Sequence, residues 1–195
     1  FQVFTKNLLF LTILFINYSL ISEEYKAGKH YQILPQTIAT RDAKKIEIIE
    51  FFWFGCGHCY SLENQLKSWE EKLPSNIDFW RSPITWNEMA KTHAKLFFAA
   101  EFFKKPEIIS NTFVSIHANR RMMTSDQELQ PFFASFGITE DQYLSLFNSF
   151  AMQNKIRRAD TFGLKYQIRG VPAFIVNGKY KVSASNDVGT AELLS

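Results

Sequence analysis

The chain has 195 residues, a formal net charge of +3, 46% hydrophobic residues, twenty phenylalanines and two cysteines. So small a positive excess, with its basic pairs Lys104-Lys105, Arg120-Arg121 and Arg157-Arg158 scattered along the chain, gives no footing for nucleic acid, and the pairs read as solvated helix faces. The length suits one domain with a sizeable core, or one carrying an insertion, and no repeat or low-complexity linker divides it.

At the amino terminus, Lys6 precedes an apolar stretch from Leu8 to Ile21, after which Glu23, Glu24 and Lys26 begin a polar segment. The pattern is that of a secretory signal peptide over 1–22, cut after Ser22. The alternative is an uncleaved anchor, for which the stretch is marginal against a hydrocarbon core of about 30 Å. Either outcome exports the cysteines to an oxidising compartment.

His30 to Leu34 is expected to be a short edge strand. Ile46 to Trp53 is too apolar to be half exposed and reads as a central buried strand. Within it Glu50 is an acid where the chain should be buried, costly unless paired or protonated. Directly after it come Cys56 and Cys59, at a strand-to-helix junction. From Gly57 to Leu73 the residues Tyr60, Leu62, Leu66, Trp69 and Leu73 have helical spacing up to Pro74, and Ile77 to Ile84 then reads as a second strand, parallel to the first.

Beyond Trp86 the period stays helical for about seventy residues, well beyond a single ordinary helix. Met89, His93, Leu96, Phe97, Ala100 and Phe103 share one face. Pro106 suits a first helical turn, Ser125 with Glu128 and Thr139 with Gln142 form capping boxes, and the aromatic stripes read as core. Ala173 to Val176 and Tyr180 to Ser183 flank Asn177-Gly178, a two-residue hairpin turn.

The chemistry lies in the cysteines. A helix N-terminus offers unpaired N–H groups and partial positive charge, which favour a thiolate at Cys56, and Cys59 one turn on can close a disulfide with it. Zinc would need about four ligands, and His30, His93 and His117 show no matching spacing. A covalent haem would need histidine where Tyr60 stands. A purely structural disulfide would close so short a loop that it removes little unfolded-state entropy. The pair is therefore read as a redox site in which His58 donates a hydrogen bond or partial charge towards Cys56, with no cofactor and no metal.

Strand, redox helix, strand, helical block and a hairpin introduced by Gly170-Val171-Pro172 is the order of a thioredoxin fold, an α/β architecture, with an inserted all-helical domain. The chain resembles the DsbA family of periplasmic thiol oxidases, through Glu-Phe-Phe-Trp-Phe-Gly-Cys-Gly-His-Cys-Tyr at 50–60 and Arg-Gly-Val-Pro-Ala-Phe-Ile-Val-Asn-Gly-Lys-Tyr at 169–180. The resemblance implies a thioredoxin-like domain from 23–85 and 154–195, a helical insertion at 86–153, and a carboxy terminus lacking the family's closing helix. It implies a cis Val171-Pro172 bond, with Val171 and Pro172 binding an extended substrate beside Cys56. An apolar surface of Trp53, Phe54 and Phe174 would add to it. It also places Arg81 where the family has a buried lysine, so that Glu50 and Arg81, with Gly57 between the cysteines, tune the redox chemistry.

The activity implied is donation of the Cys56–Cys59 disulfide to unfolded exported proteins by a monomer, reoxidised by a DsbB-like quinone-coupled membrane protein. Gly57-His58 instead matches the dipeptide of protein disulfide isomerases, so an isomerase or reductase is the rival within the enzyme class. A redox-inert peptide-binding holdase is the rival outside it.

Overall fold

The computed structural model describes residues 25–185 and 188–194, so the leader expected at 1–22 lies outside the described residues. Among the described residues five strands, β1 (Gln32–Ile33), β2 (Ile46–Phe52), β3 (Ile77–Pro83), β4 (Ala173–Val176) and β5 (Tyr180–Ser183), form one mixed sheet in the order β1-β5-β4-β2-β3. The apolar β2 is flanked by β3, parallel to it, and by β4, antiparallel to it. Helix α1 (Gly57–Glu70) makes the crossover from β2 to β3. Such a crossover is what a parallel pair requires.

Strands β2 and β3 each end one residue before the pattern does, and two other elements stop further short of theirs. Helix α1 stops at Glu70, because Pro74 disfavours helical backbone in the residue before it and the chain leaves through a turn, Lys72 N–H bonding Trp69 O at 3.0 Å. Strand β1 is reduced to two residues, although Leu34 N–H still reaches Lys179 O at 2.8 Å; Pro35 then offers no donor to extend the ladder. A second acid, Glu47, is also buried in β2, where it accepts from Trp80 Nε1 and from the Arg41 backbone N–H, each at 3.1 Å.

Helices α2 (Glu88–Phe102), α3 (Glu107–His117), α4 (Asp126–Ala134), α5 (Glu140–Phe147) and α6 (Phe150–Lys165) follow. Their starts are written in the sequence: Asn87 Oδ1 accepts from Ala90 N–H at 2.8 Å, and Thr139 and Gln142 bond each other's backbone N–H at 3.3 and 2.8 Å. Phenylalanines supply much of the core among them, with Phe133 stacked on Tyr143 at 4.8 Å and Phe113 edge-on to Phe54 at 4.8 Å. Helix α6 runs across position 153, where the helical insertion was expected to end.

The hairpin between β4 and β5 turns on Asn177 and Gly178, both left-handed, with φ of 48° and 61°. A Cβ on Gly178 would stand 1.9 Å from Ile38 O, so the glycine is required for space as well as for φ. Gly178→Ala is expected to destabilise the protein by about 1–3 kcal/mol, the range for forced strain at a special φ/ψ, read from urea denaturation.

Candidate active site

Cys56 is the N-cap of α1, with extended backbone at φ −90° and ψ 117°. Its Sγ accepts from the Cys59 N–H at 3.4 Å, and its thiol faces Val171 O at 3.3 Å. Both cysteines are free thiols, Cys56 half-buried and Cys59 buried. The hydrogen bond from Cys59, helped by the backbone N–H groups of Cys59 and His58 and by the His58 charge, overcomes burial and brings the Cys56 thiol down to about 6. Cys59 is pushed well above the ordinary thiol range by its bond to Cys56, by burial and by the negative charges of Cys56 and Glu50. At neutral pH one thiolate and one thiol therefore coexist, three residues apart.

The loop before β4 brings Val171 to this sulfur. The Val171-Pro172 bond is cis and the Val171 carbonyl points at Cys56. His58 is exposed, and its ring Nδ1 lies 3.4 Å from Thr190 Oγ1, so its backbone N–H acts on Cys56 ahead of its ring. Gly57 opens α1 in free space, where a Cβ would meet nothing. Trp53 is half-buried beside the loop. Phe54 and Phe174 are not at the surface: Phe54 is packed among Phe52 and Phe113, and Phe174 lies behind α1 against Leu62 and Leu66. Their expected substrate contact is corrected accordingly, because strand alternation and the helical core turn both rings inward.

Glu50 is fully buried and pairs across the sheet with Arg81. The Arg81 guanidinium donates through Nε to Glu50 Oε2 and through Nη1 and Nη2 to Glu63 of α1, at 3.1 and 2.8 Å, while stacking over the Phe52 ring at 4.3 Å. Glu50 Oε1 is buried with no hydrogen-bond partner among the described residues. Burial outweighs the attraction of Arg81, and the nearby Glu63 adds to it, so the Glu50 carboxyl is raised to about 7 from 4.5. For a carboxyl with a raised folded pKa, stability is full below about pH 4.5 and falls as pH climbs towards 7. Glu50→Gln is expected to flatten that fall by about 2 kcal/mol, measured as unfolding free energy at pH 5 and pH 8. An unchanged slope counts against a buried, titrating Glu50.

Sequence reasoning missed Glu63 and two histidines. His117 donates from Nε2 to Phe54 O at 2.7 Å and lies flat on Tyr60 at 4.7 Å and 7°, tying the end of α3 to the active-site turn. His93 reaches Trp53. Helical spacing marked His93 only as a core position, and nothing in the sequence near Tyr60 or Phe54 points to a ring from α3. Among the described residues no cluster of three or more metal-ligating side chains occurs, and no helix is long and apolar enough to cross a membrane.

Residues 47–192 match the family described as the DSBA-like thioredoxin domain. The chain is 33% identical over 174 residues to the thiol:disulfide interchange protein DsbA of Pseudomonas aeruginosa, covering 89% of this chain and 82% of that protein. It is equally similar to the protein of that name from Azotobacter vinelandii, 33% identical with 89% and 79% covered. The crystal structure of Pseudomonas aeruginosa DsbA superposes with a TM-score of 0.82 at 32% identity, covering 89% of this chain and 91% of that one.

Proposed function

The chain belongs to the DsbA family of thioredoxin-fold thiol:disulfide oxidoreductases, and on that premise we propose that it is a periplasmic dithiol oxidase that donates the Cys56–Cys59 disulfide to unfolded exported proteins. The observation that carries the reading is the asymmetry of the pair: a stabilised Cys56 thiolate at a helix N-terminus and a buried Cys59 held as thiol. A substrate thiolate attacks Cys56 Sγ, the Cys56–Cys59 bond breaks, and Cys59 leaves and takes up a proton. A second substrate thiolate then attacks the substrate sulfur of the mixed disulfide and expels Cys56 as thiolate. Two electrons pass to the protein, and the low pKa of Cys56 favours both the expulsion and the reduced product.

Val171, Pro172 and Trp53 form the surface beside Cys56 on which an extended substrate lies, while Glu50 and Arg81 govern the proton at Cys59. The dithiol returns to the disulfide through a DsbB-like quinone-coupled membrane protein. The protein acts as an exported monomer whose thioredoxin-like parts, 23–85 and 154–195, enclose the helical insertion at 86–153. Its redox-active group is the cysteine pair itself. Gly57-His58 favours a second reading as isomerase or reductase. Equilibration with a glutathione redox series decides between them: a potential much more oxidising than that of thioredoxin is expected, and one near it replaces the oxidase with the reductase.

A further inference from the structure

His93 stands on α2, in the helical layer, yet one of its ring nitrogens holds the residue that follows β2 towards Cys56, and the other holds the segment between α3 and α4. Trp53 Nε1–H donates to His93 Nδ1 at 3.0 Å, so Nδ1 carries no proton, and His93 Nε2–H donates to Met122 O at 2.8 Å. His93 is 2% exposed, its ring is inclined at 30° to the Trp53 indole with centroids 6.1 Å apart, and it meets Phe54 edge-on at 6.4 Å. Its far end is anchored as well: Met122 N–H and Thr124 N–H bond the Glu128 carboxylate at 2.9 and 3.1 Å, and Met123 is buried with φ 53°.

Trp53 in turn acts on the active-site loop in two ways. Its carbonyl accepts the Cys56 N–H at 3.0 Å. Its indole fills the space beside Gly55, where a Cβ would stand 2.4 Å from Trp53 Cζ2, so the angle of the ring limits the path the backbone can take into Cys56.

We infer that His93 is a positioning residue for Cys56, holding the Trp53 indole in the orientation that keeps the Cys56 sulfur under the N–H groups of α1. The role requires a neutral imidazole as acceptor, and burial does hold the His93 pKa below its ordinary value. The inference rests on Cys56 and Cys59 being the redox pair. Loss of the Trp53–His93 bond frees the ring, lets Gly55 and Cys56 shift, and weakens the hydrogen bonds to the sulfur. The thiolate then ionises less readily, and the disulfide is held more tightly.

The test uses His93→Leu, His93→Asn and Trp53→Phe, and the double variant His93→Leu with Trp53→Phe. Asparagine keeps an acceptor oxygen near the place of Nδ1, and phenylalanine removes the indole donor. For each protein the glutathione equilibrium constant and the thiolate absorbance titration are measured, together with the indole ¹H–¹⁵N resonance of Trp53 where it is present. His93→Leu and Trp53→Phe are each expected to make the pair about three- to tenfold less oxidising, the range of one hydrogen bond, and to raise the thiolate midpoint. The double variant should shift no further than the larger single one, and His93→Asn should recover part of the shift.

Variants that melt earlier while their equilibrium constant and thiolate midpoint stay at the wild-type values overturn the role, as do single shifts that simply add. If His93→Leu does not fold, Trp53→Phe and His93→Asn decide the matter. In that case an equilibrium constant and thiolate midpoint that stay at the wild-type values in Trp53→Phe are the refuting result. A wild type that shows no reversible dithiol–disulfide equilibrium refutes the redox reading itself, whereas a wild type that equilibrates, with variants identical to it, refutes only the positioning.

Discussion

Cys59→Ala is expected to turn the protein from a catalyst into a trap. With Cys59 removed, Cys56 can still be loaded as a mixed disulfide with glutathione, and a substrate thiolate can still displace that glutathione. What is lost is the internal attack by Cys59 on Cys56 Sγ that would expel the substrate again. A peptide with a single cysteine shows this most sharply, because it brings no second thiol of its own. In the intact protein the adduct resolves to the Cys56–Cys59 disulfide and free peptide, while in Cys59→Ala it is expected to persist at least about a hundredfold longer, the scale of losing an oriented intramolecular nucleophile. Non-reducing electrophoresis with time reads the adduct. Cys56→Ala must abolish it, since Cys59 is 1% exposed. An adduct that survives in Cys56→Ala, or that resolves equally fast without Cys59, reverses the assignment of Cys56 as the substrate-facing sulfur.

The pair and its setting could be read from the sequence because the relevant constraints are local. A cysteine following an apolar strand and opening a helix places its sulfur at the helix N-terminus whatever the remainder of the fold does, and Cys56 is the N-cap of α1. Asn177-Gly178 likewise dictates its hairpin through two left-handed residues. The cis Val171-Pro172 bond and the partnership of Glu50 with Arg81 came through the family resemblance, and the structure adds Glu63 as the guanidinium's second partner. That carboxylate lies on an exposed-looking helix, where a polar residue at helical spacing reads as solvent face. Phe54 and Phe174 failed as surface residues for a related reason. Composition marks an aromatic as core or contact alike, and only the packing of the helical layer and of α1 decides which. His93 and His117 were illegible because their partners, Trp53 and Phe54, are distant in sequence and are brought close only by the docking of α2 and α3 on the strand end.

The second large effect joins stability to redox state through the same sulfur. In the dithiol form Cys56 ionises at about 6 in the fold against 9.0 ordinarily. A depressed folded pKa contributes stability that is complete above the unfolded value and is lost as pH falls through the folded one. Between pH 5 and pH 8 the reduced protein is therefore expected to gain about 2–3 kcal/mol relative to the oxidised protein, whose sulfurs do not titrate. Cys59 contributes nothing over this range, since its thiol stays protonated in the fold and is still mostly protonated when unfolded. Glu50 titrates in both redox forms, so taking the difference at each pH removes it to first order. Reduction is accordingly expected to stabilise the fold at neutral pH, by a margin that widens from pH 5 to pH 8. Whatever the fold gains on reduction is the same free energy that drives the disulfide onto a substrate, so the difference at each pH measures oxidising power by a route independent of glutathione. Urea denaturation of both forms at pH 5, 6, 7 and 8 supplies it. A difference that stays flat, or that grows in favour of the oxidised form with rising pH, would mean that the Cys56 thiolate is not stabilised by the folded chain, and the oxidase mechanism would lose its driving force.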